Sequence, residues 1–335
     1  MDLPPELCCP AHAESLSVRG QGQGSDPVHL ECARGCRVPV VDGIPRFVPA
    51  RSYAASFGLQ WNAYARTQLD SYTGTTISRD RLARCLGGSL EVLAGRSVLE
   101  AGCGAGRFTE VLLAAGARVF ALDLSSAVEA NRRNCGGSPG YFVCQADLRE
   151  IPARRAVFDV VLCLGVLQHT PRPEETIAGL ASFVKPGGLL AVDHYSWGAR
   201  NAALKRMAWR VHPRRLLREA LIRLPPSVSM TVARGVSRTL LPLHRALWRP
   251  APWARPVRRA LRAASPLFDY YDSYPGLSRP LLEEWSFLDT HDGLTDRYKH
   301  FRSLEEVRDA LLAAGLLDVE ANYGGNGVEA RGRRP

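Results

Sequence analysis

The chain has 335 residues, 43 Lys+Arg against 33 Asp+Glu and a formal net charge of +10. That length exceeds an ordinary domain of roughly 100 to 200 residues and predicts more than one unit. No apolar run reaches the roughly 18 residues a membrane span needs, and the opening MDLPPELCCPAHAES lacks a charged-then-apolar leader pattern, so a cytoplasmic protein is expected.

The positive charge would ordinarily raise nucleic acid or an acidic membrane as partner, but only three of the 43 basic residues are lysine, a skew that fits GC-rich coding as well as function. It is also uneven: Arg200 to Arg262 holds sixteen basic residues and one acid, Glu219. The cysteines number nine, an odd total that favours reduced thiols. Cys8, Cys9, Cys32 and Cys36 cluster near the start, and the other five are scattered through 85–163.

In chain order, residues 53–71 place Phe57, Trp61, Tyr64 and Gln68 at helical spacing. Residues 97–195 then alternate short apolar runs with helical patterns, as a parallel sheet with crossover helices does. SVLEAG predicts a buried strand, and RFTEVLLAAG a helix that stops at Gly116. ARVFALDLS predicts a second strand, and Ser126 with Glu129 a capping box for the next helix. GYFVCQADL and the nearly all-apolar FDVVLCLGVL predict strands three and four. A helix should begin near Pro173 with acids in its first turn, and KPGG should turn the chain into the strand LLAVDHY. Near the end, Ser303 and Glu306 predict a second capping box, and GGNG a hairpin between LLDVEANY and GVEARGRR.

Between the first strand and its helix lies GCGAG. Glycines let the backbone press against a ligand while the helix N-terminus offers free N–H donors; Gly102, Gly104 and Gly106 fill these positions. Alone this motif is weak, since dinucleotide-binding dehydrogenases share it. Glu100 just before the loop, Asp123 ending strand two and Asp147 ending strand three put three carboxylates at successive strand ends, lining one crevice. They suit, in turn, an amino-acid head, ribose hydroxyls and an adenine amine, the three parts of S-adenosylmethionine.

VLEAGCGAGRFTE, ALDLS, QADL, FDVVLCLGVLQHT and KPGGLLAV, in this order, resemble the class I S-adenosylmethionine-dependent methyltransferases. The resemblance covers 97–195, and the closing helix and hairpin at 303–334 fit that family's last two strands. It implies a doubly wound, Rossmann-like α/β sheet of seven strands. Glu100, Gly102, Cys103, Gly104, Asp123, Asp147 and the backbone around Leu164 to Val166 would hold the cofactor, with Leu124 and Leu148 flanking the adenine.

The stretch before the core resembles the zinc-ribbon module that precedes some bacterial methyltransferases, which implies Cys9, His12, Cys32 and Cys36 as zinc ligands, with Cys8 as alternative to Cys9. Three departures stand out: His12 replaces a cysteine, three residues separate Cys32 from Cys36, and Val38 replaces a tyrosine. The alternative is a metal-free packing remnant. Residues 53–71 resemble the lead-in of the same group; Tyr53, Trp61 and Gln68 are its candidates for cofactor or substrate contact.

The expected organisation is a zinc-ribbon-like module (1–50), a helical segment over the cofactor (51–96), the core (97–195), a basic helical lid (196–300) carrying Trp209, Trp248 and Trp253, and a closing helix with two strands (301–335). The lid arginines are open to three readings: a solvated face, a surface for RNA or anionic lipid, or a pocket drawing an anionic small molecule. The solvated face is expected to take most of them, and a small-molecule acceptor, anionic or carrier-linked, is favoured over RNA. The rivals are an RNA or protein methyltransferase and a non-catalytic cofactor-binding scaffold.

Methyl transfer aligns a nucleophile and removes its proton when it is a hydroxyl or ammonium. His169 in LQHT is the first candidate base, followed by His194, Tyr195 and His291. FLDTHDGLTDRYKHF, residues 287–301, is rich in turn formers and resembles a segment before the family's penultimate helix. It is expected as a pocket wall in which His291, Asp292 and Tyr298 touch substrate, not as a metal site.

Overall fold

The computed structural model describes residues 2–20, 27–49, 52–248, 254–274 and 276–335. The expected boundary between residues 50 and 51, and Trp253, lie outside these described residues.

β1 (Leu16–Arg19), β2 (His29–Cys32), β3 (Arg37–Val41) and β4 (Ile44–Pro45) form an antiparallel sheet in chain order. This unit shares the apolar core of the main sheet: Leu7, Leu16, Leu30 and Val38 pack in one cluster with Leu99, Phe120 and Phe158. The sharing supplies apolar contacts that so short a unit lacks by itself.

α1 (Ala55–Ala63), α2 (Asp70–Thr73) and α3 (Ile77–Leu86) lead into the main sheet. There β5 (Ser97–Ala101), α4 (Arg107–Ala114), β6 (Arg118–Asp123), α5 (Ala127–Cys135), β7 (Tyr141–Gln145), β8 (Phe158–Cys163), α6 (Pro173–Ala181) and β9 (Val184–His194) alternate as the hydrophobic pattern requires. α7 (Ala202–Trp209), α8 (Pro213–Leu221), α9 (Pro226–Ala246), α10 (Ala254–Ala264) and α11 (Arg279–Thr295) form the insertion, before α12 (Leu304–Ala313), β10 (Leu317–Gly324) and β11 (Gly327–Arg333). None of the described helices is long and apolar enough to cross a membrane.

The main sheet has strand order β10-β11-β9-β8-β5-β6-β7; β5 to β9 run parallel, and β10 and β11 antiparallel. It is the Rossmann-like seven-stranded class I methyltransferase fold. Alternate residues of each strand feed opposite faces: Leu99, Phe120 and Val161 pack on one side, and Val98, Val119 and Val160 on the other. With both faces covered, every residue of β5 is buried.

Three local expectations change. Ser126 makes no capping box: its Oγ accepts from Asn62 at 3.3 Å, while Glu129 takes Arg46 at 3.2 Å. The Ser303–Glu306 box does form. KPGG is not a turn before a strand: β9 already begins at Val184, and the sequence lies within it where the pairing with β8 shifts register. Most consequentially, 287–295 is not a turn-rich connection but the second half of helix α11, whose residues are buried on nearly all sides.

Candidate active site

A cavity of about 700 Å³ opens above the C-terminal ends of β5, β6 and β8, the crevice where ligands of open α/β sheets bind. Gly102, Cys103, Gly104, Asp123, Leu124, Leu148 and Leu164 line it, as the sequence implied, and so do Tyr53, Trp61 and Gln68. Phe57, which the sequence placed at helical spacing with Trp61 and Gln68, also lines it.

The loop's shape explains its composition. Gly102 has φ +87°, and a Cβ there would run into Val166. Asp123 fixes the loop by accepting from Gly104 N at 2.9 Å and from Ser125 N at 2.8 Å. Burial raises the Asp123 pKa, and these N–H donors hold the rise in check.

Two expected cofactor residues sit elsewhere. Glu100 is 3% exposed and is not on the cavity wall; it accepts from Thr109 Oγ1 at 2.6 Å and so ties α4 beneath the loop. Burial pushes its pKa up to about 8. Asp147 is also off the wall, held by Arg149 through contacts of 2.7 to 3.1 Å. Burial opposes its charged form, but Arg149 outweighs burial and lowers its pKa.

The catalytic candidates separate cleanly. His169, Tyr195 and Asp292 line the cavity; His194, His291 and Tyr298 do not. Because 287–295 is helical, Asp289 and Asp292 share a face one turn apart, and His291 points away, its Nδ1 2.5 Å from Gln60 Oε1. Burial drops His291 to about 4, and Arg234 adds to this. His194 is likewise buried, its Nδ1 on Tyr195 O at 2.9 Å, and falls to about 4. Tyr298 stacks edge-on against Tyr53 at 5.2 Å.

His169 is held on three sides. Phe57 and Tyr195 flank its ring at 5.2 and 5.4 Å. Nδ1 bonds the Tyr298 backbone oxygen at 3.3 Å and lies equally far from Asp296 Oδ2, and Nε2 lies 3.7 Å from Asp292 Oδ1. Burial disfavours the imidazolium, but Asp292 and Asp296 outweigh it and raise the pKa. Asp296 itself is fully buried against Lys299 at 2.7 Å and Arg218 at 2.6 Å; these and His169 overcome burial and hold it at about 2. Sequence reasoning missed Asp296, Lys299 and Arg218, and only the DRYK run at 296–299 hinted at them. His169, Asp292 and Asp296 lie close enough to share a metal ion, but Lys299 and Arg218 already supply the cations.

The lid contributes aromatic and acidic groups to the cavity, among them Tyr270, Tyr274, Trp285 and Asp289, and none of the described arginines of 200–262 is among its lining residues. Arg214 and Arg218 bond backbone carbonyls and Asp296 instead. The cavity's arginines are Arg81, Arg84 and Arg107, from α3 and α4. Arg81 is paired with buried Asp193, and Arg84 with Glu329 at 2.7 Å. Arg107 bonds only the neutral Gln68 and Ser78, and burial lowers it to about 10.

In the N-terminal unit, Cys9, His12, Cys32 and Cys36 converge, their ligand atoms within 4.8 Å of one another. The three sulfurs lie 3.8, 3.6 and 3.6 Å from His12 Nδ1. A tetrahedral zinc centre has sulfur-to-nitrogen edges of about 3.6 Å, so the four fit the ion. Cys8 stands outside the group.

Residues 99–192 match the family described as Methyltransferase domain. The ubiquinone biosynthesis O-methyltransferase of Aromatoleum aromaticum is 40% identical over 101 residues, 29% of this chain and 42% of that protein. Its counterpart in Pseudomonas fluorescens is 36% identical over 102 residues, 29% of this chain and 43% of that protein. The chain thus spans under half the length of the curated relatives it matches. Among solved structures, Haemonchus contortus phosphoethanolamine N-methyltransferase 2 in complex with S-adenosyl-L-methionine is similar, at 15% identity and a TM-score of 0.38, over 72% of this chain and 38% of that one. Sheet order, glycine loop and family match together mark residues 99–192 as a methyltransferase domain on the class I fold.

Proposed function

We propose that the protein transfers a methyl group from S-adenosylmethionine to a small molecule held beneath the lid, with His169 as general base. One observation carries this reading. His169 Nε2 and Asp292 Oδ1 are both buried, lack a hydrogen-bond partner and face each other at 3.7 Å in the cavity that the glycine loop also lines. Buried polar atoms without partners are costly, and here a substrate's hydrogen would supply the missing bond.

Bound S-adenosylmethionine supplies an electrophilic methyl group on a sulfonium. Gly102, Gly104, Asp123 and Leu164 would hold it, with Leu124 and Leu148 against its adenine. The Tyr298 backbone oxygen, with Asp296 beside it, holds His169 through Nδ1, leaving Nε2 to take the acceptor's proton. Tyr195, kept neutral by burial and the nearby Asp292, donates to Asp292 at 3.4 Å and steadies it. Phe57, Trp61 and Trp285 exclude water. A cavity of about 700 Å³ lies in the usual range of small-molecule sites, which supports a small acceptor over an RNA or protein chain.

We further assign Cys9, His12, Cys32 and Cys36 a structural zinc ion, and the protein to the cytoplasm, a reducing compartment that suits nine cysteines of which none forms a disulfide. Calorimetry with S-adenosylmethionine and label transfer into extracts test the activity. Failure of the folded protein to bind the cofactor would overturn it.

A further inference from the structure

Resting on that reading, the geometry points to a primary amine with an aromatic or apolar body as the methyl acceptor. When His169 is in the neutral form that a general base requires, with its proton on Nδ1, Nε2 and Asp292 Oδ1 are two hydrogen-bond acceptors 3.7 Å apart, both without partners. One nitrogen bearing two hydrogens bridges them at ordinary lengths of about 2.9 Å. A hydroxyl has one hydrogen and leaves one buried acceptor bare. His169 is 7% exposed, so solvent does little to make up the loss.

The surrounding charge agrees. Asp289 stands one turn before Asp292 on the same cavity face, and burial raises both pKa values, Asp289 to about 6, so both carboxylates gain from a cation placed between them. Arg81 and Arg84 are committed to Asp193 and Glu329, whereas Arg107, bonded to the neutral Gln68 and Ser78, is the cavity arginine that a cation beside Asp289 must outcompete. Phe57, Tyr195, Tyr270 and Trp285 offer ring faces and edges of the kind that recognise ammonium groups.

The step balances. The bound ammonium gives one proton to His169 Nε2, and the freed nitrogen lone pair forms the N–C bond. The C–S bond of the sulfonium breaks, with its electron pair staying on sulfur. The product is a secondary ammonium paired with Asp292, and the proton on His169 passes to solvent.

The test uses the full chain saturated with S-adenosylhomocysteine and matched probes: 2-phenylethylamine and tryptamine against 2-phenylethanol and tryptophol. Calorimetry should show the amines binding roughly tenfold or more tighter, since a site built around polar groups rejects the analogue that leaves them unpaired. Labelled methyl should appear on the amines. Asp292→Asn should abolish the preference while S-adenosylhomocysteine affinity and the melting midpoint stay near wild type; if Asp292→Asn unfolds, Asp292→Glu should keep the preference. Alcohols binding as well as amines, no amine binding by the loaded protein, or a preference that survives Asp292→Asn each overturn the proposal. Absence of S-adenosylhomocysteine binding would instead sink the methyltransferase reading beneath it.

Discussion

His169 Nδ1 sits 3.3 Å from Asp296 Oδ2, a carboxylate with no exposed surface that Lys299 and Arg218 also grip. Residues far apart in the chain thus form one unit, and Arg218 brings the lid into it. Asp296→Asn removes a charge and a hydrogen bond that favour the imidazolium, so the His169 pKa should fall. The acid limb of the kcat/KM profile, expected above the ordinary histidine value of 6.5 in the wild type, should move to lower pH. A limb that stays put would show that His169 does not govern it.

His169→Ala should cut kcat by about 10²- to 10⁴-fold, the usual contribution of a positioned base, with cofactor affinity little changed. Single-turnover transfer and calorimetry separate the two. Equal losses in both would make the residue structural.

Gly102→Ala places a Cβ against Val166 at a backbone angle that only glycine adopts cheaply. Cofactor affinity should fall at least tenfold and the melting midpoint should drop, read by calorimetry and thermal denaturation.

The purified protein should carry close to one zinc per chain by elemental analysis, and Cys32→Ser or a strong chelator should release it. Since Leu30 and Val38 belong to the same apolar cluster as the main sheet, metal loss should also lower the midpoint of the core's unfolding.

His194 and His291 are buried and held near 4, below the 6.5 expected when unfolded. The unfolded chain therefore binds more protons between these values, and stability falls as pH drops from about 6.5 to about 4, by about 1.4 kcal/mol per unit for each group. In denaturant melts at pH 7.5 and 5, His291→Gln should show a smaller loss than wild type.

What could be read in the chain was local. The strand and helix order of 97–195, the glycine loop, the Ser303–Glu306 cap and the GGNG hairpin each depend on neighbours within a few residues, whose steric and hydrogen-bonding preferences act before any fold exists. The cysteine–histidine set was legible only through its resemblance, since the hairpins of the first sheet bring Cys32 and Cys36 to His12 from 20 and 24 residues away. Helix α11 escaped notice because it is buried on nearly every side, and a helix without a polar face shows no 3.6-residue alternation. The Ser126–Glu129 cap was lost for the opposite reason: Asn62 and Arg46, distant in sequence, claimed its groups. Which histidine faces the cavity, which carboxylate stands behind it, and that Arg214 and Arg218 turn to backbone carbonyls and Asp296 were decided by tertiary structure alone. Each depends on the rotation of one helix against another, set by packing between segments far apart in the chain.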